Sequence, residues 1–115
     1  MQVTRLEFNE GTLVVTCDGE HGVGSDGRPS AGLLKSTIES WLQNHPGQSV
    51  AQIDVDYTDV NYSWGDGPVS SMIGFSRQGK TRIRLIAGPD NFEALAGLVK
   101  SCNIPFIEVV NERQS

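Results

Sequence analysis

The stretch VAQIDVDY, residues 50–57, decides the fold class, because apolar and polar side chains alternate along it. Such alternation is typical of a strand with one buried side and one side in water. The stretch RIRLIA, residues 82–87, begins with the same pattern, and its polar side carries two arginines. Strands of a parallel sheet covered on both faces are continuously apolar instead. The two stretches therefore predict a sheet with its helices gathered on one face, and cross-strand ion pairs between aspartates and arginines on the other.

The rest of the chain places these strands in the order β-β-α-β-α-β-α-β. Asn9, Glu10 and Gly11 supply the turn of an initial hairpin, and each later β-α-β step implies a parallel pair with a right-handed crossover. The prediction is one α/β domain over 1–115, built on a small mixed sheet with helices mainly on one face, ending in a frayed polar tail at 111–115. Strands are predicted at 3–8, 11–18, 50–57, 82–87 and 106–110, and helices at 31–44, 68–78 and 91–102.

Charge and hydropathy narrow the classes of partner. Nine Lys and Arg against fourteen Asp and Glu give a net charge of −5 over 115 residues. A negative domain repels phosphate backbones and anionic lipids, so neither nucleic acid nor a membrane is expected as a partner. No apolar run approaches the roughly 18 residues of a membrane span, and the first residues lack the apolar core of a signal peptide. The expected location is the cytoplasm.

The residue types that carry catalysis or bind metals form no recognisable pattern. Cys17 and Cys102 lie on apolar faces and outside any CxxC motif, so both are predicted to be buried, reduced thiols. His21 and His45 fall in loops and have no Ser or Cys partner in a motif. We therefore predict no enzyme activity, no cofactor and no metal site.

The segment GVGSDG, residues 22–27, matches the pattern GxGxxG. In a dinucleotide-binding fold, glycines such as Gly22, Gly24 and Gly27 let the backbone approach a phosphate. That motif joins a strand directly to a helix, whereas here the preceding strand belongs to a hairpin and residues 28–30 separate the last glycine from the helix. The loop is kept as an alternative hypothesis, namely a small-ligand or nucleotide site.

The segment DYTDVNYSWGDGPVSSMIG, residues 56–74, resembles the signature of STAS domains. The family pattern is a strand ending in Asp, a short loop with an apolar pair, and Asp-Ser-Ser-Gly at the start of a helix. Asp56 matches the strand acid, Val60 and Tyr62 the apolar pair, and Gly67 the family glycine. The order of elements along the whole chain is also similar to that family. The resemblance implies a STAS fold and a regulatory role like that of bacterial anti-sigma-factor antagonists.

The chain departs from the family pattern where the phosphoacceptor would stand. Trp64 occupies the loop Asp position, Gly65 the usual phosphoacceptor Ser, and Asp66 the second Ser. A kinase therefore finds no hydroxyl at the expected place, and other serines nearby are the candidate sites of phosphorylation. These candidates are Ser63, Ser70 and Ser71.

From the resemblance we predict a protein-binding module that docks a partner through the 63–68 loop and the following helix. The partner implied is an anti-sigma-like kinase or a sensory complex. Trp64 is the favoured contact residue, because Trp is enriched at interface hot spots. Packing of Trp64 onto the domain's own core is the alternative. The predicted partner-binding residues are Ser63, Trp64, Gly65, Asp66 and Gly67.

Overall fold

Five strands and two helices form the part of the chain that the structure, a computed structural model, describes: residues 1–20, 28–61, 72, 81–88, 91–101 and 107–111. The helices are α1 (Arg28–Asn44) and α2 (Phe92–Ser101). Neither of these described helices is long and apolar enough to cross a membrane. The strands are β1 (Gln2–Asn9), β2 (Thr12–Glu20), β3 (Gln52–Asn61), β4 (Arg82–Ala87) and β5 (Ile107–Asn111).

The strands form one sheet in the order β1-β2-β3-β4-β5, which is also their order along the chain. β1 runs antiparallel to β2, and the pairs β2–β3, β3–β4 and β4–β5 are parallel. The predicted mixed α/β sheet is therefore confirmed. Leu34 of α1 and Leu95 of α2 join the same buried cluster as Val55 and Leu85 of the central strands. The two described helices thus cover the same face, as the alternation predicted.

The turn between β1 and β2 has two residues, Glu10 and Gly11, both with positive φ (51° and 84°). Two positive φ angles define the turn whose twist matches that of a hairpin, and Gly adopts this conformation without steric cost. The turn predicted at these residues is confirmed.

The polar face of the sheet carries one of the expected cross-strand ion pairs. Arg84 Nη1 lies 3.5 Å from Asp54 Oδ2, and Gln52 Nε2 donates to Asp54 Oδ1 at 2.8 Å. The register sets Asp56 opposite Ile86 on β4, not opposite an arginine. The expected second pair is wrong for this reason, and the Asp56 carboxylate has a different role, described below.

Most element boundaries differ from the prediction by one to four residues, and three of these differences have a structural cause or consequence. β3 continues to Asn61, past its predicted end at 57, because residues 59–61 still pair with β2. α1 begins at Arg28 instead of 31, so the prediction that residues 28–30 separate Gly27 from the helix is wrong. Pro29 is compatible with a first helical turn. Asn111, predicted in the frayed tail, is part of β5 and lies opposite Ala87. Of the helix predicted at 68–78, only Met72 lies inside the described residues, where it is helical and fully buried.

Candidate functional site

The parallel strands β2, β3 and β4 end at one side of the sheet, which we call the carboxyl edge: residues 18–20, 59–61 and 87–88. Glu20 and Asn61 are partners at the ends of β2 and β3. The chain enters segment 21–27 directly after Glu20 and segment 62–71 directly after Asn61. Open α/β sheets bind their ligands at such an edge. The two loops predicted as alternative sites therefore begin at neighbouring strand ends.

The predicted contact residues themselves lie outside the described residues. This is the case for the partner-binding and phosphorylation candidates and for the glycines of the ligand loop, so these assignments stay predictions. They are Ser63, Trp64, Gly65, Asp66, Gly67, Ser70, Ser71, Gly22, Gly24 and Gly27. The structure does describe the strand ends that lead into both loops.

A bulge in β3 shapes the approach to segment 62–71. Thr16 lies opposite Asp56, but Asp18 lies opposite Asp59, so β3 has one residue more than β2 here. The half-buried Asp56 accepts a hydrogen bond at Oδ1 from the backbone N–H of Thr58, at 2.9 Å. This local bond supplies a partner for an amide that the irregular ladder would leave unpaired. Asp56, which the resemblance matches to the family's strand acid, therefore stabilises the bulge.

After the bulge, Val60 is buried with 3% of its surface exposed, while Asp59 is exposed. The Val60 carbonyl accepts a hydrogen bond from Asn91 Nδ2, at 2.7 Å and 31 residues away in sequence. Asn91 is itself only 6% exposed. This bond ties the end of β3 to the start of α2.

The role of Asn91 was not predicted from the sequence, which placed this residue inside a helix at 91–102. The helix begins at Phe92 and Asn91 immediately precedes it. The Asn91 carbonyl accepts a hydrogen bond from the Leu95 N–H at 3.1 Å, which is the first helical bond of α2. The Phe92 N–H donates to the Gly88 carbonyl oxygen at 3.0 Å. A polar residue before a helix reads as a cap, and the sequence gives no signal that its side chain reaches another strand.

Gly88 allows β4 to pass close to β3 at the carboxyl edge. A Cβ added at Gly88 would lie 3.0 Å from the carbonyl oxygen of Thr58.

We expect Gly88→Ala to lower the free energy of unfolding by about 1–3 kcal/mol, the usual cost of overpacking. Gly97, within α2, has nothing within 4 Å of its added Cβ. Gly97→Ala is the matched control and is expected to stabilise by about 0.5–1 kcal/mol. Chemical denaturation of both variants measures the difference, and equal effects would contradict the close approach.

In the described part of the chain, the carboxyl edge carries three carboxylates against one positive charge, the N-terminal ammonium of Met1, which donates to the Glu20 carbonyl at 2.9 Å. Asp18 and Asp59 are opposite one another in the register, and Glu20 is exposed at the end of β2. Among the described residues, no group of three or more His, Cys, Asp or Glu side chains is arranged to hold a metal ion. Such a surface favours a partner that presents positive charge.

Cys17 lies beneath this edge with 1% of its surface exposed, and it is a free thiol. Burial raises the pKa of the Cys17 thiol from 9.0 to about 12, and the nearby carboxylates of Asp56 and Asp18 add to the rise. The buried, reduced thiol predicted at Cys17 is confirmed, while Cys102 lies outside the described residues. A thiol that stays protonated is a poor nucleophile.

We expect Cys17 to resist alkylation in the folded protein, because the pKa rise lowers its thiolate fraction by roughly a thousandfold at pH 8. The test is to label the Cys102→Ser variant with iodoacetamide, with and without denaturant, and to measure the labelling of Cys17 by mass spectrometry. The folded pKa lies above the unfolded one, so the contribution of this thiol to stability is complete below pH 9.0 and is lost as the pH rises toward about 12. Rapid labelling without denaturant would show that the site is open.

His45 lies away from the carboxyl edge, just after the end of α1. Its Nδ1 is 2.8 Å from the Trp41 carbonyl oxygen, and its ring stacks on the Trp41 indole with centroids 4.2 Å apart. These contacts give His45 a role in ending the helix. His21, the other histidine of the chain, lies outside the described residues.

Comparison with known proteins identifies the fold. No protein-family model matches the sequence, and no curated protein matches it. A solved structure of the anti-sigma factor antagonist SpoIIAA in its unphosphorylated form superposes with a TM-score of 0.63, covering 96% of this chain and 90% of that one. The chain has the STAS fold. The resemblance read from residues 56–74 is thereby confirmed at the level of the fold.

The two STAS folds share 15% of their residues. At this level of identity, the two proteins share the path of the backbone. The role of a side chain in one protein cannot be assigned to the residue at the same place in the other. The match spans nearly the whole of both chains, so the likeness concerns the fold of the complete domain and not one part of it.

Proposed function

We propose that this chain is a non-catalytic regulatory module that docks a protein partner through the 63–68 loop and the helix that follows. The observation that carries the proposal is the STAS fold, shared over 96% of the chain with an anti-sigma factor antagonist. Fold alone does not specify function, so the described strand end that precedes the loop supplies the second support.

The strand leading into the loop is held on both sides. Asp56 bonds the amide of Thr58, and Asn91 bonds the carbonyl of Val60. The end of β3, which directly precedes segment 62–71 in the sequence, therefore has a fixed backbone position. A fixed start reduces the conformational entropy that docking would otherwise cost. Within the loop, Trp64 is the proposed contact residue.

The proposed partner is a protein, and the resemblance in residues 56–74 suggests an anti-sigma-like kinase or a sensory complex. Asp18, Glu20 and Asp59 make the carboxyl edge acidic, which suits a basic docking surface. Gly65 stands at the phosphoacceptor position, so docking is expected not to depend on phosphorylation at that site. Asp66 places a fixed negative charge near the predicted helix start, where such a charge is favourable by about 0.3–1 kcal/mol.

The alternative, a nucleotide or other phosphate ligand in the 22–27 loop, is less favoured by charge. Asp18 and Glu20 immediately precede that loop on β2, and carboxylates repel phosphate. A thermal-shift panel of nucleotides and small anions separates the two: a saturable stabilisation by one ligand would support the alternative.

The proposal is tested by affinity capture with the full chain from its native cell. We expect Trp64→Ala to weaken binding of the captured partner by at least about thirtyfold, the size of a hot-spot loss. Leu33→Ala is the control, because Leu33 is the exposed large apolar side chain of α1, with 38% of its surface accessible. Equal binding by both variants would contradict the docking loop.

Phosphorylation is measured on the same captured protein by mass spectrometry. Stoichiometric phosphate on Ser63, Ser70 or Ser71 that changes partner affinity more than about tenfold would show that the switch has moved along the loop. A phosphate adds about −1.5 to −2 charges, so its effect on a charged interface would be measurable.

A further inference from the structure

Within the part of the chain that the structure describes, β1 has β2 on one side and no strand on the other. The two-residue turn makes Asn9 and Thr12 a hydrogen-bonded pair. Because hydrogen-bonded and non-hydrogen-bonded pairs alternate in an antiparallel ladder, the N–H and C=O groups of Leu6 and Phe8 point away from β2. An outward row of such groups is a template for pairing with another strand.

The charged side chains of β1 are symmetric about Leu6. Arg5 and Glu7 flank it, their side chains are 69% and 53% exposed, and Arg5 Nε lies 2.6 Å from Glu7 Oε1. If two β1 strands pair antiparallel about a two-fold axis at Leu6, Arg5 of each copy lies opposite Glu7 of the other. Both charges then keep an opposite-charge partner, now across strands, where such pairs stabilise the sheet.

The other face of β1 has apolar surface that the domain covers only in part. Val3, Leu6 and Phe8 are half-buried against the core, and the Phe8 ring lies 5.1 Å from that of Trp41, also half-buried. A second copy would bring Leu6 against its own equivalent. We propose that the chain forms a two-fold homodimer through β1, by antiparallel strand pairing centred on Leu6.

β5, at the opposite end of the sheet, does not share these properties. Its one charged side chain, Glu108, has no basic residue within the strand to face in a second copy. In β1 the register shift between Val3 and Arg5 limits the regular ladder to the residues that follow it. A short, isologous pairing closes on itself as a dimer and does not propagate into a fibre. The proposed dimer contact lies along the outer side of β1, so the carboxyl edge stays free for the partner proposed above.

The test is a set of charge changes measured by sedimentation velocity over a concentration series. Arg5→Glu and Glu7→Arg each create two like-charge contacts per dimer, so each is expected to raise the dimer dissociation constant at least about tenfold. An equimolar mixture of the two variants is expected to recover the dimer, because a strand with two acids then faces a strand with two arginines. The double variant is expected to recover it alone.

Lys35→Glu and Glu39→Arg are the matched controls. They make the same changes in net charge at the exposed pair on α1, whose Nζ–Oε1 distance is 3.9 Å, and they are expected to leave the dimer unchanged. A wild-type chain that stays monomeric at roughly 1 mM, weaker than any specific interface, would overturn the proposal. So would a mixture that does not recover the dimer, or controls that weaken it equally. Circular dichroism confirms that each variant is folded.

Discussion

Val55→Lys is expected to abolish the cooperative unfolding transition. Val55 has 0% of its surface exposed and lies in the cluster that joins the sheet to both described helices. An unpaired ammonium there costs several kcal/mol, which is comparable to the whole stability of a domain, about 5–15 kcal/mol. Circular dichroism and urea denaturation measure the loss.

Val14→Lys is the matched control on the opposite face of the sheet. Val14 is half-buried between Glu7 on β1 and Asp54 on β3, so an introduced ammonium meets two carboxylates and water. The expected change in unfolding free energy is less than about 1 kcal/mol. If the two variants lost the same stability, both faces of the sheet would be covered and the one-sided arrangement would be wrong.

Asn91→Asp is expected to lower the free energy of unfolding by roughly 2–4 kcal/mol. The substitution keeps the shape of the side chain but replaces the donor that lies 2.7 Å from the Val60 carbonyl with an acceptor oxygen. Urea denaturation at neutral pH measures the loss. Gln48→Glu makes the same amide-to-carboxylate change at an exposed position and is expected to be nearly neutral.

The cost of Asn91→Asp should depend on pH. Burial beside a carbonyl oxygen raises the pKa of the introduced carboxyl above its unfolded value. The protonated form can donate to Val60, so the stability deficit relative to wild type narrows as the pH falls and widens as the pH rises through that pKa. A deficit that is constant from pH 4 to 8 would contradict the role of this hydrogen bond.

The sheet and its covered face could be predicted because period-two alternation in 50–57 and 82–87 is a local property. The end of β3 could not, because residues 58–61 read as a polar turn. Their pairing with β2 depends on a bulge that Asp56 stabilises and that a neighbouring strand imposes. The link from Asn91 to Val60 spans 31 residues, and no pattern in a single sequence connects positions so far apart.

The candidate functional site could likewise be predicted only in part. The resemblance in 56–74 correctly predicted the fold, and Asp56 and Val60 lie where the strand leads into the loop. The roles of Trp64, Gly65 and Asp66 rest on side chains beyond the described strand, so they stay predictions for the capture experiment. The concentration of negative charge from Asp18 and Asp59 could not be predicted, because only the register of β2 and β3 shows that these two residues lie opposite each other.

The order of strands in the sheet equals their order in the chain, and this has a consequence for biosynthesis. Among the five described strands, each pairs with the one made before it, so none of them has to insert between two that are already paired. A domain emerges from the ribosome amino terminus first, and here the hairpin of β1 and β2 can form before β3 is translated. Each later strand of the described sheet can then add at the side where its neighbour has already paired, and β5 can complete it last.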